Sequence, residues 1–332
     1  MKRIPIKMMA MASLVALVAA GCGAVTTSSP GSAASKSSKS STPVIGMTLM
    51  TLTNPYFAEM GSSAKADAAK MGMKLEYEGA NFSQATQLSQ VDAFIQQHVS
   101  AVMIAPADAG SAGTLVLALN KAHIPVFTID TNVEPSSYKS QGGHVVEFVQ
   151  SNNYKAGVIA GEEMVQYLHG QGHIGWLDFP LATSVLQRDA GFESVIKKYP
   201  GIKVVSRLNG EGTTPGGLSA TADMLEAHPH IKAIFDINAP CGLGAVDAIT
   251  AAHKVGQVAV IGLSGSEQAV SAIENNSVYK YGVMQEPELE SDIEIHSIYN
   301  YLHGKKVKPL ILTSVFRITK QDAAHYAPLA YK

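Results

Sequence analysis

The sequence has few cysteines, no large surplus of either charge and no apolar run long enough to span a membrane. Its 332 residues include two cysteines, Cys22 and Cys241, and carry a formal net charge of −2 at pH 7. Two cysteines cannot form the disulfide framework of a small secreted domain. The near-neutral charge and the lack of a basic run argue against a nucleic-acid partner. Cys241 is best explained as a small buried apolar side chain.

The uncharged apolar stretch near the start covers residues 8–20, which is too short for a transmembrane helix of roughly 20 residues. It follows the basic residues Lys2, Arg3 and Lys7. A basic start followed by a short apolar run is typical of a bacterial export signal that is later removed. We therefore expect residues 1–21 to be a signal peptide.

The apolar stretch ends in Ala20, Gly21 and Cys22, and this ending resembles a lipoprotein processing site, although an alanine stands where leucine is usual three residues before the cysteine. At such a site the cysteine becomes the lipidated first residue of the mature chain. The alternative is an ordinary signal peptide cut after small residues, with Cys22 incidental. Eight of the twenty residues 24–43 are serine, which is typical of a flexible tether. We therefore expect residues 22–43 to be a lipidated cysteine and a tether.

From Val44 onward, short apolar runs alternate with longer segments of helical periodicity. Pro55 suits a first helical turn, and Ser83 suits an N-cap. Strands that alternate with helices predict parallel sheets covered on both faces, because a parallel connection has to cross over. The predicted strands cover residues 44–51, 74–77, 101–105, 126–129, 145–149, 174–177, 203–206, 231–235, 258–263 and 279–283, and the predicted helices cover residues 54–72, 83–98, 113–122, 154–168, 184–199, 217–227, 242–252 and 267–275.

The chain from Val44 to its end is longer than one hydrophobic core usually supports. In addition, the alternation of strands and helices starts a second series near residue 145. These two observations predict an α/β fold of two doubly wound parallel-sheet lobes.

Residues directly after the predicted strands are the first candidates for a binding site, because open parallel sheets bind ligands beyond the carboxyl ends of their strands. Asn54 follows the first strand, and its amide can donate and accept, as a vicinal diol requires. Tyr56 and Phe57 beside it can cover the apolar face of a sugar. Asp130 follows the fourth strand and can accept two hydroxyl hydrogen bonds. The alternatives are a helix cap for Asn54, a core position for Phe57 and a turn for Asp130.

Six short matches stand in order along the chain. They are Asn-Pro-Tyr-Phe at residues 54–57, the strand at 125–130, Arg-Asp-Ala-Gly-Phe at 188–192, the segment 238–245, Ile-Gly-Leu-Ser-Gly at 261–265, and Gln285. Together, behind an export signal, they resemble the ribose-binding family of bacterial sugar-binding proteins, which are type I periplasmic binding proteins serving ABC importers.

The resemblance implies a ligand site shared by both lobes, in which Arg188 of the second lobe lies opposite Asp130 of the first. The guanidinium group offers several donors in a fixed fork, so that the pair can hold hydroxyls from both sides. The implied ligand-binding residues are Asn54, Tyr56, Phe57, Asp130, Thr131, Arg188, Asn238, Ser264 and Gln285.

The sequence also departs from the family pattern at charged positions. Thr131 stands where pentose binders of the family often have Arg, Ala239 where Asp is frequent, and Ser264 where a sugar-binding Asp is common. The remaining charged pair, Asp130 and Arg188, has a formal charge of zero. Because burying an unpaired ionised group is costly, this set favours a small neutral sugar or polyol over a sugar phosphate or a sugar acid. The missing charges also argue against ribose itself and suggest a smaller or differently shaped polyol, a deoxy sugar or a neutral ligand of another kind.

The resemblance implies the extracytoplasmic binding component of an ABC importer. Such a protein is expected to be a monomer, anchored by its lipid, that delivers its ligand to a membrane permease and needs no cofactor, no metal and no catalysis. The two lobes are expected to close on the ligand about a hinge of three chain crossings. The expected first lobe covers residues 44–150 plus 286–313, the second covers residues 151–285 plus 314–332, and the crossings lie near residues 149–152, 285–286 and 312–314.

An enzyme is the first alternative. Residues 262–266 miss the spacing of a nucleophile elbow, and residues 242–244 are only a fragment of a dinucleotide fingerprint. His228 and His230 could share a metal, but a loop between a helix and a strand explains them better.

Two further alternatives concern the same fold. A transcriptional regulator would need a helix-turn-helix module ahead of Val44, where the sequence has the export signal and the tether instead. A receptor for a signalling molecule or a non-sugar metabolite stays open.

Overall fold

The computed structural model of the protein describes residues 42–275 and 278–332. The predicted signal peptide, Cys22 and the predicted tether up to residue 41 lie outside the described residues. Within the described ranges, no helix is both long and apolar enough to cross a membrane.

The first lobe is built around a six-stranded sheet. Its strands are β1 (Val44–Leu49), β2 (Lys74–Gly79), β3 (Ala101–Ile104), β4 (Val126–Ile129), β5 (Glu147–Ser151) and β11 (Leu310–Thr313). They are all parallel and lie in the order β11-β5-β4-β3-β1-β2. Strands β3 and β4 are buried along their whole length, as expected for a parallel sheet covered on both faces. The helices of this lobe are α1 (Pro55–Lys70), α2 (Gln84–Gln96), α3 (Gly113–Lys121) and α9 (Pro287–Leu302).

The second lobe is built around another six-stranded sheet. Its strands are β6 (Gln171–Asp178), β7 (Gly201–Asn209), β8 (Ile231–Asp236), β9 (Ala259–Leu263), β10 (Tyr279–Met284) and β12 (Phe316–Thr319). They lie in the order β12-β10-β9-β8-β6-β7, and β12 alone is antiparallel to its neighbour. The helices are α4 (Asn153–Leu168), α5 (Thr183–Ile196), α6 (Thr214–Ala227), α7 (Ala239–Ala251), α8 (Glu267–Asn275) and the short α10 (Ala323–Tyr326).

Three chain segments connect the two sheets. The chain crosses from β5 into α4, returns from β10 into α9, and crosses again between β11 and β12. Beside these crossings, Ser151 Oγ donates to Glu290 Oε1, and Thr313 Oγ1 donates to the same oxygen at 3.4 Å. The buried Glu290 carboxyl therefore links residues at all three crossings.

Side-chain caps fix the helices that start at the cleft between the lobes. Asn54 Oδ1 accepts from the backbone N–H of Tyr56 at 3.1 Å and caps α1, in which Pro55 occupies the first turn. Asn238 Oδ1 accepts from the backbone N–H of Cys241 at 2.9 Å and caps α7. The sequence predictions of Pro55 in a first helical turn and of a buried Cys241 are both confirmed.

The predicted α/β fold of two lobes is confirmed. The strand predicted at residues 145–149, at which the second series of strands is expected to start, forms as β5 and pairs with β4 in the first sheet, within the expected bounds of the first lobe. Helix α9 and strands β11 and β12 are not among the predicted elements, and β12 pairs antiparallel with β10. The chain enters β12 from the first lobe, at the cleft, where the carboxyl ends of the parallel strands lie. For this reason β12 runs away from the cleft, against the direction of its neighbours.

Candidate ligand-binding site

A cavity lies between the two sheets, at the carboxyl ends of their strands. It holds about 510 Å³ of empty space, including the part open to solvent. Open parallel sheets bind ligands at this position. The wall is formed by Met50, Asn54, Tyr56, Phe57, Phe82, Asp130, Phe179, Ala182, Ser184, Val185, Arg188, Gly212, Asn238, Ala239, Leu263, Gln285 and Tyr331.

Asp130 directly follows β4 and has a left-handed backbone with a φ of 59°. Few residues other than glycine adopt this conformation, and Asp tolerates it better than most. The backbone N–H of Asp130 donates to Val149 O at 2.9 Å, which ties the turn to the neighbouring strand β5. The side chain is buried, and its Oδ1 has no hydrogen-bond partner among the described residues. The carboxylate therefore has an acceptor available to a ligand.

Arg188 reaches the cavity from α5 of the second lobe and is also buried. Its Nε donates to Asn153 Oδ1 at 2.8 Å, its Nη1 to Ile237 O at 2.9 Å and its Nη2 to Gln285 Oε1 at 3.1 Å. Nη2 also lies 3.7 Å from Asp130 Oδ1. The guanidinium group is thus fixed on the second lobe and forms an ion pair across the cleft with the first.

The start of α1 supplies a second part of the wall. Asn54 uses its Oδ1 as a helix cap, as the alternative interpretation anticipated, and its Nδ2 has no partner among the described residues. Tyr56 Oη is buried near the carboxyl groups of Asp130 and Glu290, without a hydrogen bond of ordinary geometry to either. The ring of Phe57 packs edge-on against Tyr56, with centroids 5.3 Å apart. This corner therefore combines two polar groups with two aromatic faces.

Two amide side chains complete the polar wall, and they differ in what they can offer a ligand. Gln285 lies at the second crossing between the lobes; its Oε1 is used by Arg188, and its buried Nε2 has no partner in the described part of the chain. Asn238 caps α7 through Oδ1 and donates from Nδ2 to Gly212 O at 3.1 Å. Gln285 therefore keeps an amide nitrogen without any partner within the described ranges, whereas each polar atom of Asn238 already has one hydrogen bond.

The structure places two of the predicted ligand-binding residues outside the cavity wall. Thr131 is fully buried, and its Oγ1 lies 3.0 Å from Thr183 Oγ1 of the second lobe, with the backbone N–H of Ser184 donating to it at 3.4 Å. Ser264 follows β9 but is buried against Gly282 of β10. Thr131 therefore contacts the other lobe, and Ser264 contacts its own sheet.

Burial dominates the titration of the acidic groups at the cavity. It raises the pKa of Asp130, while the charge of Arg188 opposes this rise. Behind the cavity, burial and the charge of Asp130 raise the pKa of Glu290 to about 8. Burial raises the pKa of Tyr56 well above its usual value, and the charge of Glu290 adds to this effect. A protonated Glu290 beside the paired Asp130 and Arg188 leaves the site close to neutral at pH 7.

Residues 45–306 match the family model described as a periplasmic binding protein domain. The chain belongs to the periplasmic binding protein family. Among its relatives, a ribose import binding protein of Bacillus subtilis is 31% identical over 80% of this chain and 84% of its own length. A D-ribose/D-allose-binding protein of Pseudomonas aeruginosa is 30% identical over 66% of this chain and 70% of its own length. At the family level, these relatives are binding proteins and not enzymes.

The fold of this periplasmic binding protein also matches solved structures. One is an ABC transporter solute binding protein from Agrobacterium vitis bound with α-D-tagatopyranose, with a TM-score of 0.81 and 23% identity over 87% of this chain and 99% of that one. At this identity the likeness shows the fold alone.

Three aromatic residues on the wall of the periplasmic binding protein are not identified by the sequence pattern. Phe179 directly follows β6, so that an accurate strand end would have found it. Phe82 has a positive φ of 60° and contacts Phe179 edge-on across the cleft, with centroids 5.9 Å apart. Tyr331 reaches the wall from the last residues of the chain, beside Ser266, and no local signal predicts this.

The described residues contain no group of three or more His, Cys, Asp or Glu side chains that could hold a metal ion. His228 ends α6, outside the cavity wall, and His230 also lies outside it. The geometry at the cavity is therefore that of a polar and aromatic binding site.

Proposed function

We propose that this periplasmic binding protein is the extracytoplasmic binding component of an ABC importer and that it captures a small neutral sugar or polyol between its lobes. The observation that carries the proposal is the buried pair of Asp130 and Arg188, which come from different lobes and stand 3.7 Å apart on the cavity wall. A ligand that contacts both groups favours closure, because its interactions are complete only when the lobes meet. The names of the relatives, which refer to ribose and allose, support a sugar as the ligand.

The proposal of a neutral ligand follows from the charges of the residues that line the cavity. Asp130 is the only acidic residue and Arg188 the only basic residue that line the cavity within the described ranges. A phosphate or carboxylate on the ligand would need a second cationic partner, since an unpaired buried charge is costly. A hydroxyl needs none, because it can donate to Asp130 and accept from Gln285.

The test is a panel of ligands added to the purified protein, followed by thermal unfolding and calorimetry. We expect neutral sugars or polyols to stabilise the protein, by about 2.7 kcal/mol at 100 times the dissociation constant. Sugar phosphates and sugar acids should not, and affinity for the neutral ligand should change little with salt. A sugar phosphate as the tightest ligand, with affinity that falls steeply as salt rises, would contradict the proposal.

We also propose that Cys22 is lipidated and anchors the protein to the membrane after removal of residues 1–21. The support is the sequence of residues 8–22 and the serine-rich stretch that follows. In cell fractionation, Cys22→Ser should move the protein from the membrane to the soluble fraction. Cys241→Ser is the matched control and should stay with the membrane. Equal membrane association of both variants would refute the anchor.

The protein is further proposed to act as a monomer without a cofactor and without catalysis, in keeping with relatives named as binding proteins. We assign the first lobe to residues 44–150 plus 286–313 and the second to residues 151–285 plus 314–332. The support is the sheet to which each strand belongs.

A further inference from the structure

Three buried polar atoms on the cavity wall lack a hydrogen-bond partner within the described ranges. They are Tyr56 Oη, Asp130 Oδ1 and Gln285 Nε2. They form one group, because Tyr56 and Gln285 both lie beside the Asp130 carboxyl, in positions that do not meet the geometry of an ordinary hydrogen bond. A buried polar atom without a partner costs free energy, and a ligand that supplies the partner recovers it. These three atoms therefore identify the edge of the cavity that takes hydroxyl groups.

The chemistry of this edge fits adjacent hydroxyls. One ligand hydroxyl can donate to Asp130 Oδ1 and accept from Gln285 Nε2 at the same time. A neighbouring hydroxyl can pair with Tyr56 Oη, and the free Nδ2 of Asn54 is a further donor on the wall. The edge thus satisfies two or three contiguous hydroxyls.

The rest of the wall offers few polar partners. It consists mainly of apolar and aromatic side chains, including Met50, Phe82, Phe179, Val185 and Leu263, all on the cavity lining. A hydroxyl placed against them would lose its bonds to water without gaining others, whereas a methyl group would lose nothing. This part of the cavity therefore discriminates against hydroxyls.

We propose that the ligand is an amphipathic sugar, with contiguous hydroxyls on one edge and a methyl group in place of a hydroxymethyl on the other, as in a terminally deoxygenated sugar. This inference rests on the proposed function and narrows its substrate class. The hydroxyl edge binds Tyr56, Asp130 and Gln285, and the methyl group packs against the apolar wall.

The test measures dissociation constants by calorimetry for three matched pairs that differ in a single terminal hydroxyl. The pairs are D-fucose with D-galactose, L-rhamnose with L-mannose, and 5-deoxy-D-ribose with D-ribose. In each pair that binds, the deoxy sugar should bind about tenfold to a hundredfold more tightly, the discrimination expected when a hydroxyl meets an apolar surface. Equal or tighter binding of the parent sugar would overturn the inference.

The outcomes separate the inference from the proposed function. If a fully hydroxylated sugar or polyol binds and no deoxy sugar binds better than its parent, only the inference fails. If none of these sugars binds and no sugar or polyol in the wider panel stabilises the protein, the proposed function fails with it.

A pair of variants tests the apolar wall itself. Met50→Gln places an amide on this wall at similar volume and should reduce the preference for the deoxy sugar about tenfold. Met73→Gln is the control, because Met73 is equally buried but lies outside the cavity. An unchanged preference in Met50→Gln, in a protein that still folds and binds, would count against the inference.

Discussion

Arg188 is positioned by the protein before a ligand arrives. Its three nitrogens donate to Asn153, Ile237 and Gln285, all within 3.1 Å. A side chain already held in its binding position loses little conformational freedom when the ligand binds. The guanidinium group is therefore fixed on the second lobe, opposite Asp130 of the first lobe.

Removing either member of this pair should weaken binding. Arg188→Ala leaves the buried Asp130 carboxylate without its cation, and Asp130→Ala removes an acceptor for ligand hydroxyls. Each is expected to reduce the free energy of ligand binding by about 1.5–3 kcal/mol, the value of a hydrogen bond to a charged group. Calorimetry measures the loss, and the far-UV circular dichroism spectrum should stay unchanged. His228→Ala, outside the cavity wall, is the control; unaltered affinity in Arg188→Ala would refute the role of that residue.

Glu290 makes stability depend on pH. Its pKa is raised from an ordinary value of 4.5 to about 8, first by burial and then by the charge of Asp130. Between these two values the folded protein holds a proton that the unfolded chain has released. The contribution of Glu290 to the free energy of unfolding is therefore fully present below pH 4.5 and is lost as the pH rises toward 8.

Glu290→Gln should remove this part of the pH dependence. Glutamine keeps the oxygen that accepts from Ser151 and carries no charge at any pH. Denaturant unfolding at pH 5.5 and pH 8.5 should show a smaller loss of stability in the variant, by an amount on the order of 2 kcal/mol or more. Acids that do not interact with Glu290, such as Asp189 with a pKa of about 7, stay in both proteins and cancel in the comparison. Glu226→Gln, at an exposed position on α6, is the control, and a variant with the same pH slope as wild type would contradict this assignment.

The candidate site shows what a local pattern can and cannot predict. Asn54 and Asp130 are predictable because Asp130 directly follows β4 and Asn54 ends the loop after β1, and the cavity of parallel sheets lies at these strand ends. The use of Thr131 as a contact between lobes is not predictable, because it depends on where Thr183 of the other lobe lies after folding. Tyr331 depends in the same way on the path of the last residues. Residues that line the cavity because they follow a strand can therefore be predicted from the sequence. Residues whose contacts depend on how the two lobes meet cannot.

Helices α4 and α5 approach each other at two glycines, and this contact supports Arg188. A Cβ atom on Gly157 would lie 1.9 Å from Arg188 O, and one on Gly191 would lie 2.1 Å from Tyr154 O. Both neighbours are backbone atoms, which cannot move aside without shifting a helix. The short distance between α4 and α5 therefore requires glycine at positions 157 and 191. The position of the Arg188 guanidinium group depends on this distance.

Gly191→Ala should force the two helices apart. We expect a loss of about 1–3 kcal/mol in the free energy of unfolding, as for overpacked interiors, together with weaker ligand binding because Arg188 moves with α5. Gly110→Ala is the control, since the nearest atom to its added Cβ would be Asp108 Oδ1 at 3.4 Å. Denaturant unfolding and calorimetry measure both effects. A variant as stable as wild type would show that the helices adjust at no cost.

The elements of the fold are largely predictable from periodicity, whereas their assignment to sheets is less so. The strand alternation predicts β1 to β10, because parallel strands buried on both faces are short continuous apolar runs. The antiparallel direction of β12 is not encoded in its residues. It follows from the third crossing, which brings the chain to the second sheet from the cleft. The direction of this edge strand is therefore determined by the path of the chain between the lobes and not by the residues of the strand.

Besides the ion pair of Asp130 and Arg188, the two lobes make other direct contacts around the cavity. The backbone N–H of Ala109 donates to Leu181 O at 2.9 Å, and Phe82 meets Phe179 edge-on. Thr183 Oγ1 accepts from the backbone N–H of Asn132 at 2.8 Å. These contacts join residues of different lobes and would be lost if the lobes separated. The lobes are thus in direct contact in this structure, and part of the stability of this closed arrangement comes from contacts that no ligand supplies.

A substitution at Thr183 can measure how much the direct contacts between the lobes stabilise the closed arrangement. Thr183 belongs to these contacts and not to the cavity wall. Thr183→Val keeps the volume of the side chain but leaves the backbone N–H of Asn132 without its acceptor when the cleft is closed. In the open form water takes that place, so the substitution penalises closure alone, by about 1–2 kcal/mol. Because the apparent affinity scales with the fraction of closed protein, binding should weaken about fivefold to thirtyfold.

The rank order of ligands should not change, since the wall is intact, and the radius of gyration at saturating ligand should equal that of wild type. Thr114→Val, on the exposed surface of α3, should bind as wild type does. If Thr183→Val changes the order of ligand preference, the residue acts on the site itself; if affinity stays within twofold of wild type, these contacts do not contribute to closure.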